Sequence, residues 1–175
     1  MTAEEFKSRL LPAKNKLFRL ALSLLVSRQE AEDVVQEVYL KMWDMRNDLS
    51  KYKSTDALMM TIARNQCLDK LKLKKNKAVS LNEDFNSHSR IDLNEITEQM
   101  EMVQAAKKFM LQLPEQQKTI IHLRDVEGYE FEEIAKITGY DLNYIRVNIS
   151  RGRRKIKESL IKLQRYDTSR NPKLN

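Results

Sequence analysis

The chain has 175 residues, with 32 Lys and Arg against 25 Asp and Glu and a formal net charge of +7. A third of it is charged and 41% hydrophobic, which suits helical domains with small cores better than one large enzyme core. Only three glycines, two distant histidines and one cysteine are present, which excludes P-loops and dinucleotide turns and leaves little for a metal site or disulfide.

No secretory pattern opens the sequence. The longest apolar run, Leu20 to Val26, is interrupted by Ser23 and bounded by Arg19 and Arg28, far short of the roughly 20 residues of a membrane helix. With its lone cysteine the chain reads as cytoplasmic, without membrane insertion. Residues 1–75 hold 15 basic and 10 acidic side chains, residues 76–97 hold 2 and 4, and residues 98–175 hold 15 and 11. Two basic blocks around an acidic one suit a polyanion held at both ends, although ordinary solubility charge gives the same sum.

In chain order, Phe6, Leu10, Leu17, Leu20, Ala21, Leu24 and Leu25 recur at helical spacing, with Pro12 breaking or restarting the pattern. Ser27 and Glu30 form an S-x-x-E box opening a second helix, whose buried stripe is Ala31, Val34, Val35, Val38, Tyr39 and Met42. On its polar side Asp33, Gln36, Glu37 and Asp44 surround Leu40, which suits a partner offering arginines and an apolar pocket, or simply a solvated face. After the turn-prone loop 47–53, a third helix is expected from about Ser54 to Lys75. Arg64, Asn65 and the lysines there, with Lys51, Tyr52 and Lys53 in the loop, offer phosphate contacts and an aromatic for base stacking; Tyr52 equally suits a ring covering a helix end. Cys67 is expected to pack as a small hydrophobe.

Periodicity fades over 76–92, which reads as a linker, and resumes with Leu93, Ile96, Met100, Val103, Phe109 and Met110. Leu113-Pro114-Glu115 reopens a helix. Next, Phe131 to Arg146 reads as helix, glycine turn, helix: Ala135 permits close approach, Gly139 turns, and Asp141 or Asn143 caps the second helix. Ile134, Ile145 and Ile149 are spaced to share a core. The second helix then carries Arg146, Arg151, Arg153, Arg154, Lys155 and Lys157 with no acid before Glu158, which suits a recognition helix in a major groove, although a solvated basic helix end favoured by the dipole gives the same run. The acids Glu127, Glu130, Glu132 and Glu133 are read as favourable charge at a helix N-terminus rather than as catalytic carboxylates.

Residues 31–43 with Ile62-Ala63-Arg64-Asn65…Asp69, and then Leu113-Pro114-Glu115, Glu132-Glu133-Ile134-Ala135 and Ile145-Arg146…Arg151-Gly152-Arg153, together resemble the RNA polymerase sigma-70 family, in its compact extracytoplasmic-function class. The resemblance covers roughly residues 15–75 and 98–163. It implies an all-α chain: a region 2-like domain (1–75), a flexible linker (76–97), a region 4-like helix-turn-helix domain (98–165) and a tail (166–175). It also implies a protein that is not an enzyme, needs no cofactor, binds core RNA polymerase and melts promoter DNA. Asp33, Gln36, Glu37 and Leu40 would grip the clamp helices of the largest subunit; the flap is a second expected contact. Lys51, Tyr52, Lys53, Ser54 and Thr55 would capture a flipped −10 base, with Arg64, Asn65, Lys70 and Lys72 on the melted strand. Asn143, Arg146, Val147, Ser150, Arg151, Arg153, Arg154 and Lys155 would meet the −35 duplex. Members of the class are often held by anti-sigma factors, so such an inhibitor is a candidate partner. Three departures bear on the promoter sequence rather than on activity: Leu58 in place of a common tryptophan, a base-capturing loop without glycine, and Tyr144 in place of a common threonine. The competing reading is a conventional helix-turn-helix regulator with an N-terminal sensing or dimerisation domain.

Overall fold

The computed structural model describes the backbone of residues 2–81 and 98–170 and the side chains of 2–77 and 101–166. Residues 82–97 of the expected 76–97 linker, and residues 171–175 of the tail, lie outside the described residues.

The described elements are all helical. Helix α1 (Ala3–Leu10) starts on a full Thr2/Glu5 capping box. Pro12 sits in a 3-10 turn, Leu11–Ala13, that separates α1 from α2 (Lys14–Leu25), so the proline restarts the helix as expected. Helix α2 ends on Val26 at φ 54°, a left-handed cap that a β-branched residue adopts only under strain. Ser27 then caps α3 (Arg28–Asp44), its hydroxyl accepting from the Glu30 amide at 3.4 Å. The reciprocal half of the expected box is not made; the Glu30 carboxylate instead takes Lys74 from the next helix. That helix, α4 (Thr55–Leu81), continues beyond Lys75, where periodicity had suggested an end.

The second domain comprises α5 (Glu98–Leu111), α6 (Glu115–Ile121), a π-turn at His122–Val126, α7 (Phe131–Thr138) and α8 (Leu142–Arg170). Helices α2, α3 and α4 pack on one another, and α6, α7 and α5 pack on α8. The predicted stripes are buried: Leu17, Leu20, Val34, Val38 and Met42 in the first domain, and Ile120, Ile134, Ile145 and Ile149 in the second. Gly152, inside α8, lies where a Cβ would stand 2.2 Å from Ile121 Cδ1, so α8 and α6 meet through a position only glycine fills without displacement.

The two domains are not independent. Helix α2 packs on α6 and on the π-turn, and α4 packs on α7, so the buried side chains of both halves form one continuous apolar cluster.

Candidate nucleic-acid interface

The turn between α7 and α8 positions the most cationic surface. Gly139 caps α7 in the left-handed region at φ 76°, and Thr138 Oγ1 accepts from the Tyr140 amide at 3.2 Å. Of the two expected caps it is Asp141 that serves, its Oδ1 accepting from the Tyr144 amide at 2.8 Å. With α8 fixed there, Ile145 and Ile149 face the core. Asn143, Arg146, Val147, Ser150, Arg151 and Arg154 recur at spacings of three and four on the exposed side. Arg153 and Lys155 flank that stripe and are also exposed. Arg153 is already engaged, donating through Nε to Asp125 at 3.0 Å and through Nη2 to its other oxygen. Arg146 lies over the Phe131 ring at 5.7 Å.

The −10 candidates divide differently. Leu49, buried in a 3-10 turn at Leu49–Lys51, anchors the loop that presents Tyr52 and Lys53 to solvent. Lys51 is exposed and paired with Asp48. Ser54 Oγ accepts from the Ala57 amide at 3.1 Å and so caps α4, while Thr55 is half-buried in its first turn. Asn65 and Lys72 are exposed; Lys70 is half-buried and holds Glu37 at 3.2 Å. Arg64 stands apart. It is 8% exposed, and its Nη2 donates to the Tyr140 hydroxyl of the other domain at 3.0 Å.

On α3, Asp33, Gln36, Glu37 and Leu40 share one solvent face, and Leu40 is 65% exposed, an uncommon placement for a leucine amid acids and an amide.

The acidic run behaves as helix-terminal charge only in part. Glu130 and Glu133 form a reciprocal capping box at the start of α7, with Glu132 in its first turn. Glu127 does something else. Its side chain is 1% exposed, and its oxygens accept from Arg19 Nε at 2.8 Å and Arg19 Nη2 at 2.6 Å, while His122 Nε2 lies 3.1 Å away. Burial alone would raise its carboxyl, but the hydrogen bonds from Arg19 and His122 outweigh that and hold it at about 2.

Sequence reasoning missed the residues that join the domains. Asp56 accepts from the Tyr129 hydroxyl, and Lys16 lies 3.5 Å from Asp56 and over the Tyr129 ring at 5.1 Å. Burial and the Asp56 carboxylate both push the Tyr129 phenol up, so it remains a donor. Periodicity within one helix carries no signal for partners 73 or 108 residues away.

Comparison with known proteins gives the same two units. Residues 12–77 match the family described as Sigma-70 region 2, and residues 104–156 match Sigma-70, region 4. The chain is 22% identical over 157 residues to the ECF RNA polymerase sigma factor SigW of Bacillus subtilis, covering 84% of each. It is 28% identical over 158 residues to the RNA polymerase sigma factor SigV of the same organism, covering 89% of each. Among solved structures it resembles the sigma factor RpoE of Bartonella quintana, in complex with the anti-sigma factor NepR, at a TM-score of 0.78 and 25% identity, over 90% of this chain and 98% of that one.

Proposed function

The chain belongs to the sigma-70 family as an extracytoplasmic-function sigma factor, which directs RNA polymerase to promoters, and from that premise we propose which of its residues carry each step. Sigma factors are not enzymes; bond formation belongs to the polymerase. The observation that carries the assignment of steps is an ordered pair: a region 2 unit with an acidic, leucine-centred face, then a region 4 unit with an exposed cationic stripe. A regulator with an unrelated sensing domain leaves the region 2 match unexplained.

Asp33, Gln36, Glu37 and Leu40 dock on the clamp helices of the polymerase. Leu40 is the apolar anchor that a pocket desolvates, while the acids set orientation and encounter rate. The flap of the polymerase contacts the second domain. The stripe Asn143, Arg146, Val147, Ser150 and Arg151 faces the −35 groove, with Arg154 and Lys155 on phosphates and Arg153 beside them. Lys51, Tyr52, Lys53 and Thr55 hold the flipped −10 base, with Ser54 fixing the loop to α4. Arg64, Asn65, Lys70 and Lys72 follow the displaced strand. Unstacking a base costs a few kcal/mol, so a pocket for that base turns duplex opening into sequence reading.

Among the described residues no helix is long and apolar enough to cross a membrane. A protein that works on chromosomal promoters acts in the cytoplasm, and we assign the chain there. The likeness to a sigma factor captured with its inhibitor supports an anti-sigma protein as a further partner.

Run-off transcription with core polymerase and a genomic promoter pool tests the reading and reports the promoter. Asp33→Lys with Glu37→Lys is expected to abolish retention on core polymerase while leaving the far-ultraviolet circular dichroism unchanged. Loss of neither retention nor transcription removes the α3 assignment.

A further inference from the structure

Phe131 opens α7, the first helix of the helix-turn-helix, and two arginines lie over its ring, Arg124 at 5.0 Å and Arg146 at 5.7 Å. They are engaged differently. Arg124 Nη1 donates to the Tyr129 carbonyl at 2.9 Å and lies 3.0 Å from Glu130 Oε2, so this guanidinium is tied to residues 129 and 130 as well as to the ring. Arg146 has the ring alone; among the described residues it forms no hydrogen bond or ion pair.

The difference bears on how a base is read. A free arginine side chain has many rotamers, and fixing it against a base edge costs the freedom it had before. A carboxylate partner removes that freedom but occupies the donors, as Asp125 does for Arg153 of the same helix through two bonds. An aromatic ring attracts the guanidinium's charge and takes up none of its five N–H donors. Arg146 is therefore oriented while its whole fork remains available.

The ring is itself held in place. Phe131 is half-buried against the core, and Arg124 braces it from the π-turn. Arg146 stands in the second turn of α8, in the N-terminal part of a recognition helix, which is the part that meets base edges. A line of contact thus runs from the π-turn through the first residue of α7 to a cation of the exposed stripe.

We propose that Phe131 is a positioning residue for −35 recognition: its ring presets the Arg146 guanidinium to donate two parallel bonds to a guanine at one position of the element. The inference rests on the assignment of Arg146 to the −35 groove. Guanine is the base that fits, because its O6 and N7 accept side by side from the arginine fork. A phosphate makes a weaker demand, since its oxygens accept from many directions and a mobile arginine serves nearly as well. Loss of the ring is accordingly felt as base preference rather than as general affinity.

The test uses the full chain and a pool of duplexes randomised over the −35 element, with bound duplexes separated by mobility shift and sequenced. Wild type is expected to select guanine at one position that Arg146→Ala no longer selects. Phe131→Leu is expected to lower the guanine preference at that same position about threefold to tenfold, leaving the other positions as they were. Phe131→Met, which is also apolar and ringless, guards against a packing defect peculiar to leucine and is expected to lose the same position. Phe131→Tyr keeps the ring and is expected to retain the preference. The salt dependence of binding is expected to be unchanged in Phe131→Leu, because no phosphate contact is removed. Selection by Phe131→Leu and Phe131→Met that matches wild type overturns the proposal. So does a loss spread evenly over all positions. The underlying assignment fails differently: Arg146→Ala then selects every position as wild type does.

Discussion

Arg19 of α2 and Glu127 at the end of the π-turn are 108 residues apart in sequence, yet meet through two bonds, Nε to Oε1 at 2.8 Å and Nη2 to Oε2 at 2.6 Å. This pair brings a basic helix of the first domain onto an acid that, read along the chain, belongs to the approach to a DNA-binding motif.

The pair has a defined pH signature. Glu127 is depressed from 4.5 to about 2, so its contribution is complete above about pH 4.5 and is lost as pH falls toward 2. Thermal melts of wild type and Glu127→Gln are expected to differ by a constant amount between about pH 5 and 7 and to converge progressively below about pH 4.5. A difference that stays constant through pH 3 contradicts the ion-pair account.

Arginines on α8 are expected to divide by engagement. Arg146→Ala and Arg151→Ala each weaken binding to a −35 duplex by about 1–3 kcal/mol if they contact bases. Arg153→Ala costs less in affinity but lowers the melting temperature, because Arg153 is held by Asp125. Electrophoretic mobility shifts and melts on the three variants check the order. Duplex affinity is also expected to fall steeply with salt, since several phosphates are neutralised.

Cys67 is 0% exposed, and burial pushes its thiol up to about 12. Since the thiolate is the reactive form, a thiol-specific colorimetric reagent is expected to find essentially no reaction in native protein and full reaction in denaturant. Fast labelling of the folded chain contradicts the packing around α4.

Gly152 and Ile121 are expected to be coupled. Gly152→Ala places a methyl group against Ile121 Cδ1, at about 1–3 kcal/mol for overpacking, offset by about 1 kcal/mol of helix propensity. Ile121→Val deletes that Cδ1 atom. It is therefore expected to cost less in the Gly152→Ala background than in wild type, which a double-mutant cycle in urea resolves.

Most of the helices were legible in the sequence because their determinants are local. Leu17, Val34, Val38 and Ile145 lie on period-3.6 stripes, Pro12 restarts a helix, Gly139 permits a left-handed turn, and the cations of α8 recur on its outer side; each is fixed by neighbours within a few residues. Only the tertiary structure decided that Glu30 serves Lys74 rather than its own helix start, and that Glu127 is an interdomain ligand rather than helix-terminal charge. It also decided that Arg64, which reads as a strand-binding cation, is buried under Tyr140. The physical reason is common to all three. A charged side chain is drawn to whichever partner is nearest in space, and contacts between distant segments leave no period in the chain that makes them.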